Sequence, residues 1–137
     1  MAHWLFKSEP EVFSFEALKK KGASQWDGVR NYAARNHMQA MKKGDLGFFY
    51  HTGEERAVVG IMRVTAPAHQ DTTTDDERWQ CVDVEALKPL PKPVTLEAIK
   101  ADKRLKTMAL VRIGRLSVQP VTDEEWAIIC ALGGAKA

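Results

Sequence analysis

The sequence predicts an α+β domain, a small mixed or antiparallel β-barrel with short helices closing its ends. Three observations carry that prediction. Residues 46–50 (Leu-Gly-Phe-Phe-Tyr) and 57–64 are dense apolar runs that read as strands, joined too briefly for a parallel crossover. Short stretches between the strand-like runs open with helix-capping residues. The 137 residues, 45% of them hydrophobic, fit a single core, so residues 1–135 are expected to form one domain.

The elements follow in order. Residues 3–6 form a first strand, ended by Pro10, which cannot donate to a ladder and biases Glu9 toward an extended shape. Ser14 is an N-cap, with Phe13 and Leu18 at staple spacing, and the helix it starts ends at Gly22. Lys19, Lys20 and Lys21 suit a helix C-terminus. Asp27-Gly28 is a tight turn. Ala34, Met38 and Met41 lie on one helical stripe, and Gly44 closes that helix. Strands 46–50 and 57–64 pair antiparallel. Residues 66–78 are polar and read as a long surface loop. Residues 79–87 alternate as a strand with one wetted face. The Lys-Pro-Leu-Pro-Lys-Pro run at 88–93 reads as a connector. Thr95 caps a helix to about Ala101, 110–112 and 116–119 are short strands, and Thr122 with Glu125 forms a capping box that starts a last helix ending at Gly133.

Composition excludes several classes. No apolar run approaches the roughly 18 residues that span a bilayer, and no signal peptide is expected. Cys81 and Cys130 stand far apart, which gives no disulfide framework and favours a reducing cytoplasm. The four histidines make no metal-binding spacing, so no metal is expected. There is no glycine-rich phosphate loop and no nucleophile elbow, so no cofactor and no catalytic residue are assigned. The net charge of +2 permits a local basic patch without demanding a polyanionic partner.

What remains is a recognition surface, centred on residues 26–36 (Trp-Asp-Gly-Val-Arg-Asn-Tyr-Ala-Ala-Arg-Asn). Trp4, Trp26, Tyr32, Tyr50 and Trp79 supply flat π-faces. Lys7, Arg30, Arg35 and Arg115 supply charge. Ser8, Asn31, Asn36 and Thr52 can read a hydrogen-bonding edge. This is the equipment of a nucleobase pocket, which must receive a flipped or single-stranded nucleotide. Each residue also has a structural reading. Trp4 at strand spacing suits the core, and Trp126 suits the staple of the last helix. Arg30 and Asn31 could instead hold their own loop. Trp26 has no apolar period around it, which favours the pocket.

Seven ordered segments, among them Trp-Leu-Phe-Lys-Ser-Glu-Pro at 4–10, Trp-Asp-Gly-Val-Arg-Asn-Tyr at 26–32, Phe-Phe-Tyr-His at 48–51 and Arg-Leu-Ser-Val-Gln-Pro at 115–120, resemble EVE-domain proteins along nearly the whole chain. The resemblance implies a PUA-like barrel related to the YTH and ASCH domains. It also implies nucleic-acid binding, through a pocket suited to modified bases, without catalysis. Lys7, Ser8 and Trp26 are similar to the YTH residues that enclose a methylated adenine. Val84 stands where a second cage tryptophan would be expected, a role that Trp79 or Tyr50 could take.

The candidate base-binding set is therefore Lys7, Ser8, Glu9, Trp26, Gly28, Arg30, Asn31, Tyr32, Tyr50, His51, Thr52 and Trp79, with Arg35 and Arg115 on phosphates. The expected partner is DNA or RNA carrying a modified base, and the chain is expected to be a monomer. The alternatives are a hydrolase or nucleotide-processing enzyme using Lys7, Glu9 or His51 as proton carriers, and a protein-interaction module.

Overall fold

The computed structural model describes residues 2–135. Its strands are β1 (His3–Ser8), β2 (Ala23–Gln25), β3 (Leu46–His51), β4 (Ala57–Gln70), β5 (Gln80–Thr95) and β6 (Val118–Val121). Its helices are α1 (Phe15–Lys21), α2 (Tyr32–Ala40), α3 (Leu96–Ala101), α4 (Ala109–Arg112) and α5 (Asp123–Leu132), with a 3-10 turn at Lys103–Leu105. The strands form one six-stranded sheet in the order β2-β5-β4-β3-β1-β6. Among the described residues only β1 and β3 run parallel, which α1, β2 and α2 between them make possible. The α+β class and the mixed sheet are those the sequence implies. The sheet is open, however, with β2 and β6 as its edges and no ring of hydrogen bonds. Helix α2 packs against both β5 and β6 and so bridges the gap between the two ends.

Strand alternation sorts the apolar side chains into two clusters. Trp4 and Phe6 of β1 and Phe49 of β3 join one cluster, with Phe15 and Leu18 of α1 and Ala34 and Met38 of α2. Leu5, Phe48 and Tyr50, at the intervening positions, join the other, with Ile99, Leu110, Trp126 and Ile129 of α3, α4 and α5. The close fit of the first cluster explains Gly60 on β4, since the Phe15 ring occupies the space a side chain there would need.

The helix signals hold well. Ser14, Thr95 and Thr122 each accept a hydrogen bond from the amide three residues on, and Glu125 completes the capping box; Asn31 caps α2 in the same way, which the sequence reading did not assign. Gly44, at φ 96°, sits in the turn before β3 and not at the end of α2, which closes at Met41.

Three further expectations change. The polar stretch after residue 64 continues β4 to Gln70, because backbone pairing with β5 persists through register shifts that sequence polarity does not report. The proline-rich run lies inside β5, with Pro89 paired to Gly60 and Val94 to Val58. Pro91 and Pro93 fall between the pairs at Pro89 and Val94, where the register shifts and residues 90–93 have no partner on β4, so their missing amide donors cost no ladder bond. Residues 110–112 form part of α4 and not a strand. Met108, Ala109 and Leu110 are buried in succession, which a helical turn allows and strand alternation does not.

Candidate functional site

The site is built on the loop that joins β2 to α2. Trp26 continues the β2 pairing, its amide donating to the Val82 carbonyl at 2.8 Å. Gly28 takes φ 79°, a conformation that favours glycine. Asn31 ends the loop, its side-chain oxygen accepting from the Ala34 amide at 2.9 Å. That oxygen is therefore committed to the helix cap.

A buried carboxylate, Asp71, pins the loop from the far side. It is 1% exposed and accepts from the Gly28 amide at 2.7 Å and from Arg30 at 3.1 Å. The Thr73 amide and hydroxyl donate to its other oxygen at 2.8 and 2.5 Å. Burial pushes the pKa of Asp71 up, but the hydrogen bonds from Thr73, Gly28 and Arg30 together outweigh that and hold it at about 2.

Beside this loop lies an open cavity of about 590 Å³. Six of the sequence-assigned residues line it: Lys7, Ser8 and Glu9 at the end of β1, and Trp26, Gly28 and Arg30 on the loop. Val12, Phe13, Gln25 and Ser117 complete much of the wall. Trp26 is only 6% exposed. Phe6, Phe49 and Phe13 surround its ring edge-on at centroid distances of 5.0, 5.3 and 6.1 Å. It is therefore a core residue with one border on the cavity, and both sequence readings apply to it. Its indole N–H makes no hydrogen bond among the described residues. Ser8 donates to the Phe13 carbonyl at 2.5 Å and holds the turn that carries Phe13. Lys7 donates to the Gly114 carbonyl at 3.1 Å, and burial lowers its pKa.

Four assigned residues form a separate stacked column next to the cavity. The Arg35 guanidinium lies 4.9 Å from the Tyr32 ring centre, and Tyr32 stacks on Trp79 with centroids 4.9 Å apart. Arg30 lies 5.6 Å over the other ring system, so it belongs to both column and cavity. Tyr32 is 50% exposed, and Arg78 donates to its hydroxyl at 3.2 Å.

The remaining assigned residues lie elsewhere. Tyr50 and Thr52 border a different, smaller cavity. His51 is buried, accepts from the Phe15 amide through Nε2 at 3.1 Å and bonds Glu55 through Nδ1 at 2.7 Å. Both of its nitrogens are thus engaged. Arg115 is exposed. Trp4 donates from its indole to the buried carboxylate of Asp45 at 3.0 Å, which fits the core reading. Among the described residues no group of three or more His, Cys, Asp or Glu could hold a metal ion, and no helix is long and apolar enough to cross a membrane.

Asp71 is the residue that sequence reasoning missed. Its signal was local: Asp followed two residues on by Thr suits a turn in which the carboxylate accepts the later amide. Nothing in the polar run around it announced burial.

Comparison with known proteins places the whole chain in a family. The EVE-domain family model matches residues 2–132. Mouse thymocyte nuclear protein 1 is 37% identical over 164 residues, covering 95% of this chain and 73% of its own length. A crystal structure of an Agrobacterium tumefaciens protein superposes with a TM-score of 0.96 at 51% identity, covering 98% of this chain and 94% of that one. The human THYN1 protein, solved in complex with 5-methylcytosine-containing DNA, superposes with a TM-score of 0.93 at 34% identity, covering both chains completely. An ASCH protein from Zymomonas mobilis, at 12% identity and a TM-score of 0.61, shares the fold alone. This chain belongs to the EVE-domain family.

Proposed function

We propose that this protein reads modified bases in DNA, enclosing one flipped or single-stranded base in the cavity bordered by Trp26. The observation that carries the reading is the composition of that cavity. About 590 Å³ is ordinary for a small-ligand site. Trp26 and Phe13 supply aromatic surface, Val12 and Val29 suit a base methyl group, and Ser8 and Glu9 offer groups for a base edge. Lys7 and Arg30 place positive charge where the strand would pass. The DNA complex of the THYN1 relative supports DNA, and methylated cytosine as the first ligand to try.

Binding without turnover is the favoured mode. His51, the histidine weighed as a proton carrier, is buried with both nitrogens occupied. The Arg35–Tyr32–Trp79–Arg30 column supports a role in holding a neighbouring base or phosphate, because its outer members remain accessible. The protein acts as a monomer in this reading, in a reducing compartment such as the cytoplasm, where the free thiols of Cys81 and Cys130 persist.

The test is a titration of matched single-stranded oligonucleotides that differ only by 5-methylation of one cytosine. The parent should prefer the methylated strand. Trp26→Phe should weaken binding of the methylated strand by about 1 kcal/mol, since it shrinks the stacking surface while keeping an aromatic in the core. Equal affinity of the parent for both strands would remove the reading.

A further inference from the structure

Lys7 lies on the walls of two cavities. One is the cavity bordered by Trp26. The other, about 240 Å³, sits between β3, the turn that follows it, α3 and α4. Its polar wall is Lys7, Tyr50, Thr52, Arg56 and Lys100, with Gly114 at the side nearest Lys7. Three cations thus surround one small space whose lining contains no carboxylate. Among the described residues none of the three forms an ion pair, whereas Arg30, Arg63, Arg78 and Arg104 each meet an aspartate or glutamate. Glu54, Glu55 and Glu97 border the neighbouring cavity that Arg56 and Lys100 also touch, but they leave these two cations unbridged.

The backbone adds an independent sign. Arg56 has φ 43°, the one positive value among the described non-glycine residues. Left-handed backbone on a residue with a long side chain costs free energy, and glycine would adopt it freely. Arginine at that position keeps a guanidinium on the cavity wall. Its carbonyl also accepts from the Leu96 amide at 2.7 Å, which fixes the turn against α3. Tyr50 contributes a buried phenol able to donate to an anionic oxygen, whereas the Thr52 hydroxyl donates to the Ser8 carbonyl at 3.4 Å.

We propose that this second cavity is a phosphate site, holding the phosphodiester of a nucleotide adjacent to the one whose base enters the cavity bordered by Trp26. The assignment of the phosphate to a DNA strand rests on the base-reader reading. The anion chemistry of the cavity does not. Lys7, on both walls, is the group that links the two. An anion there offsets the desolvation that lowers the pKa of Lys7.

The experiment has two arms, using the parent, Lys100→Gln, Arg56→Gln and the double variant. Arg56 and Lys100 are exposed, so the thermal midpoints of the variants should match the parent. In the first arm, affinity for a 5-methylcytosine single strand and its unmethylated match is measured from about 50 to 200 mM salt. Each single variant should flatten the slope of log affinity against log salt by about 0.7, the share of one phosphate contact to a single strand. It should also weaken both strands by the same factor, leaving the methyl preference intact. Parent-like slopes in both variants overturn the strand assignment. In the second arm, inorganic phosphate is titrated into the ¹⁵N-labelled protein. The amides of Thr52, Gly53 and Gly114 should shift in the parent and stay still in the double variant. If they shift while the slopes stay parent-like, the site takes free phosphate and the strand assignment falls. If no oligonucleotide binds at all, the base-reader reading falls by itself, and the phosphate titration still decides the site. Amides that stay still in the parent overturn the phosphate site.

Discussion

Trp26 and Trp126 are the same side chain, 6% and 2% exposed, on opposite sides of one sheet. They do different things. Trp126 stacks flat on Phe48 at 3.9 Å between centroids and on His3 at 4.4 Å, so other rings lie face-on against it. Trp26 meets Phe6 and Phe49 edge-on and keeps a border on an open cavity. On one side α3, α4 and α5 pack over the sheet, and the small cavity that opens there, beside α3 and α4, does not reach Trp126. The other, under α1 and α2, leaves a gap where the loop from Trp26 to Asn31 crosses. Burial alone does not separate a structural tryptophan from a ligand-facing one. What separates them is which part of the ring the core leaves uncovered.

The largest expected effects lie in the tryptophans themselves. Trp126→Ala should cost about 3–5 kcal/mol, because the ring is 2% exposed, packs flat on Phe48 and His3 and borders no cavity among the described residues. Trp26→Ala should cost less, since its space opens onto the existing cavity, but it also removes core packing and is a poor test of binding. Urea denaturation of the two variants measures the difference. Equal losses would mean that both rings are equally enclosed.

The next effect separates the two sides by pH. Asp71 has its pKa lowered in the folded state from 3.8 to about 2. A group whose folded pKa is depressed contributes stability above its unfolded pKa and loses it as pH falls through the folded one. About 2 kcal/mol should therefore disappear between pH 4 and pH 2, and Asp71→Asn should flatten that part of the profile. Denaturation midpoints across this range check it. An unchanged profile in the variant would show that other carboxylates carry the acid sensitivity.

The smallest effects come from a matched pair of caps. Thr122→Ala and Asn31→Ala should each cost about 1 kcal/mol. Only Asn31→Ala should also weaken binding of the methylated strand, because its cap anchors the end of the loop that carries Gly28 and Arg30. Denaturation and oligonucleotide affinity, measured on both variants, sharpen the comparison. Equal binding losses would show that the loop is held by Asp71 alone.

Local chemistry was legible in the sequence and long-range geometry was not. Ser14, Thr95 and Thr122 announced their helices because a cap acts over three residues. The stripe of Ala34 and Met38 announced α2. The paths of β4 and β5 were hidden, because a strand held by backbone bonds through register shifts needs neither alternation nor freedom from proline. Of the candidate site, the segments 7–9 and 26–30 were found by residue type and do meet at one cavity. Tyr50 and Thr52 were grouped with them by chemistry, yet face another cavity, because alternation along β3 sends Tyr50 to the opposite side of the sheet from Phe49. His51 looked available and is fully engaged, since a ring nitrogen accepting a backbone amide leaves no trace in sequence.

The central claim is that the modified base meets Trp26. The most direct test follows the four indole N–H resonances of the ¹⁵N-labelled protein during titration with a 5-methylcytosine single strand. The account predicts that the Trp26 resonance moves saturably with the methylated strand and far less with its unmethylated match, while that of Trp126 stays in place. A Trp26 resonance that does not move while the strand binds would contradict it.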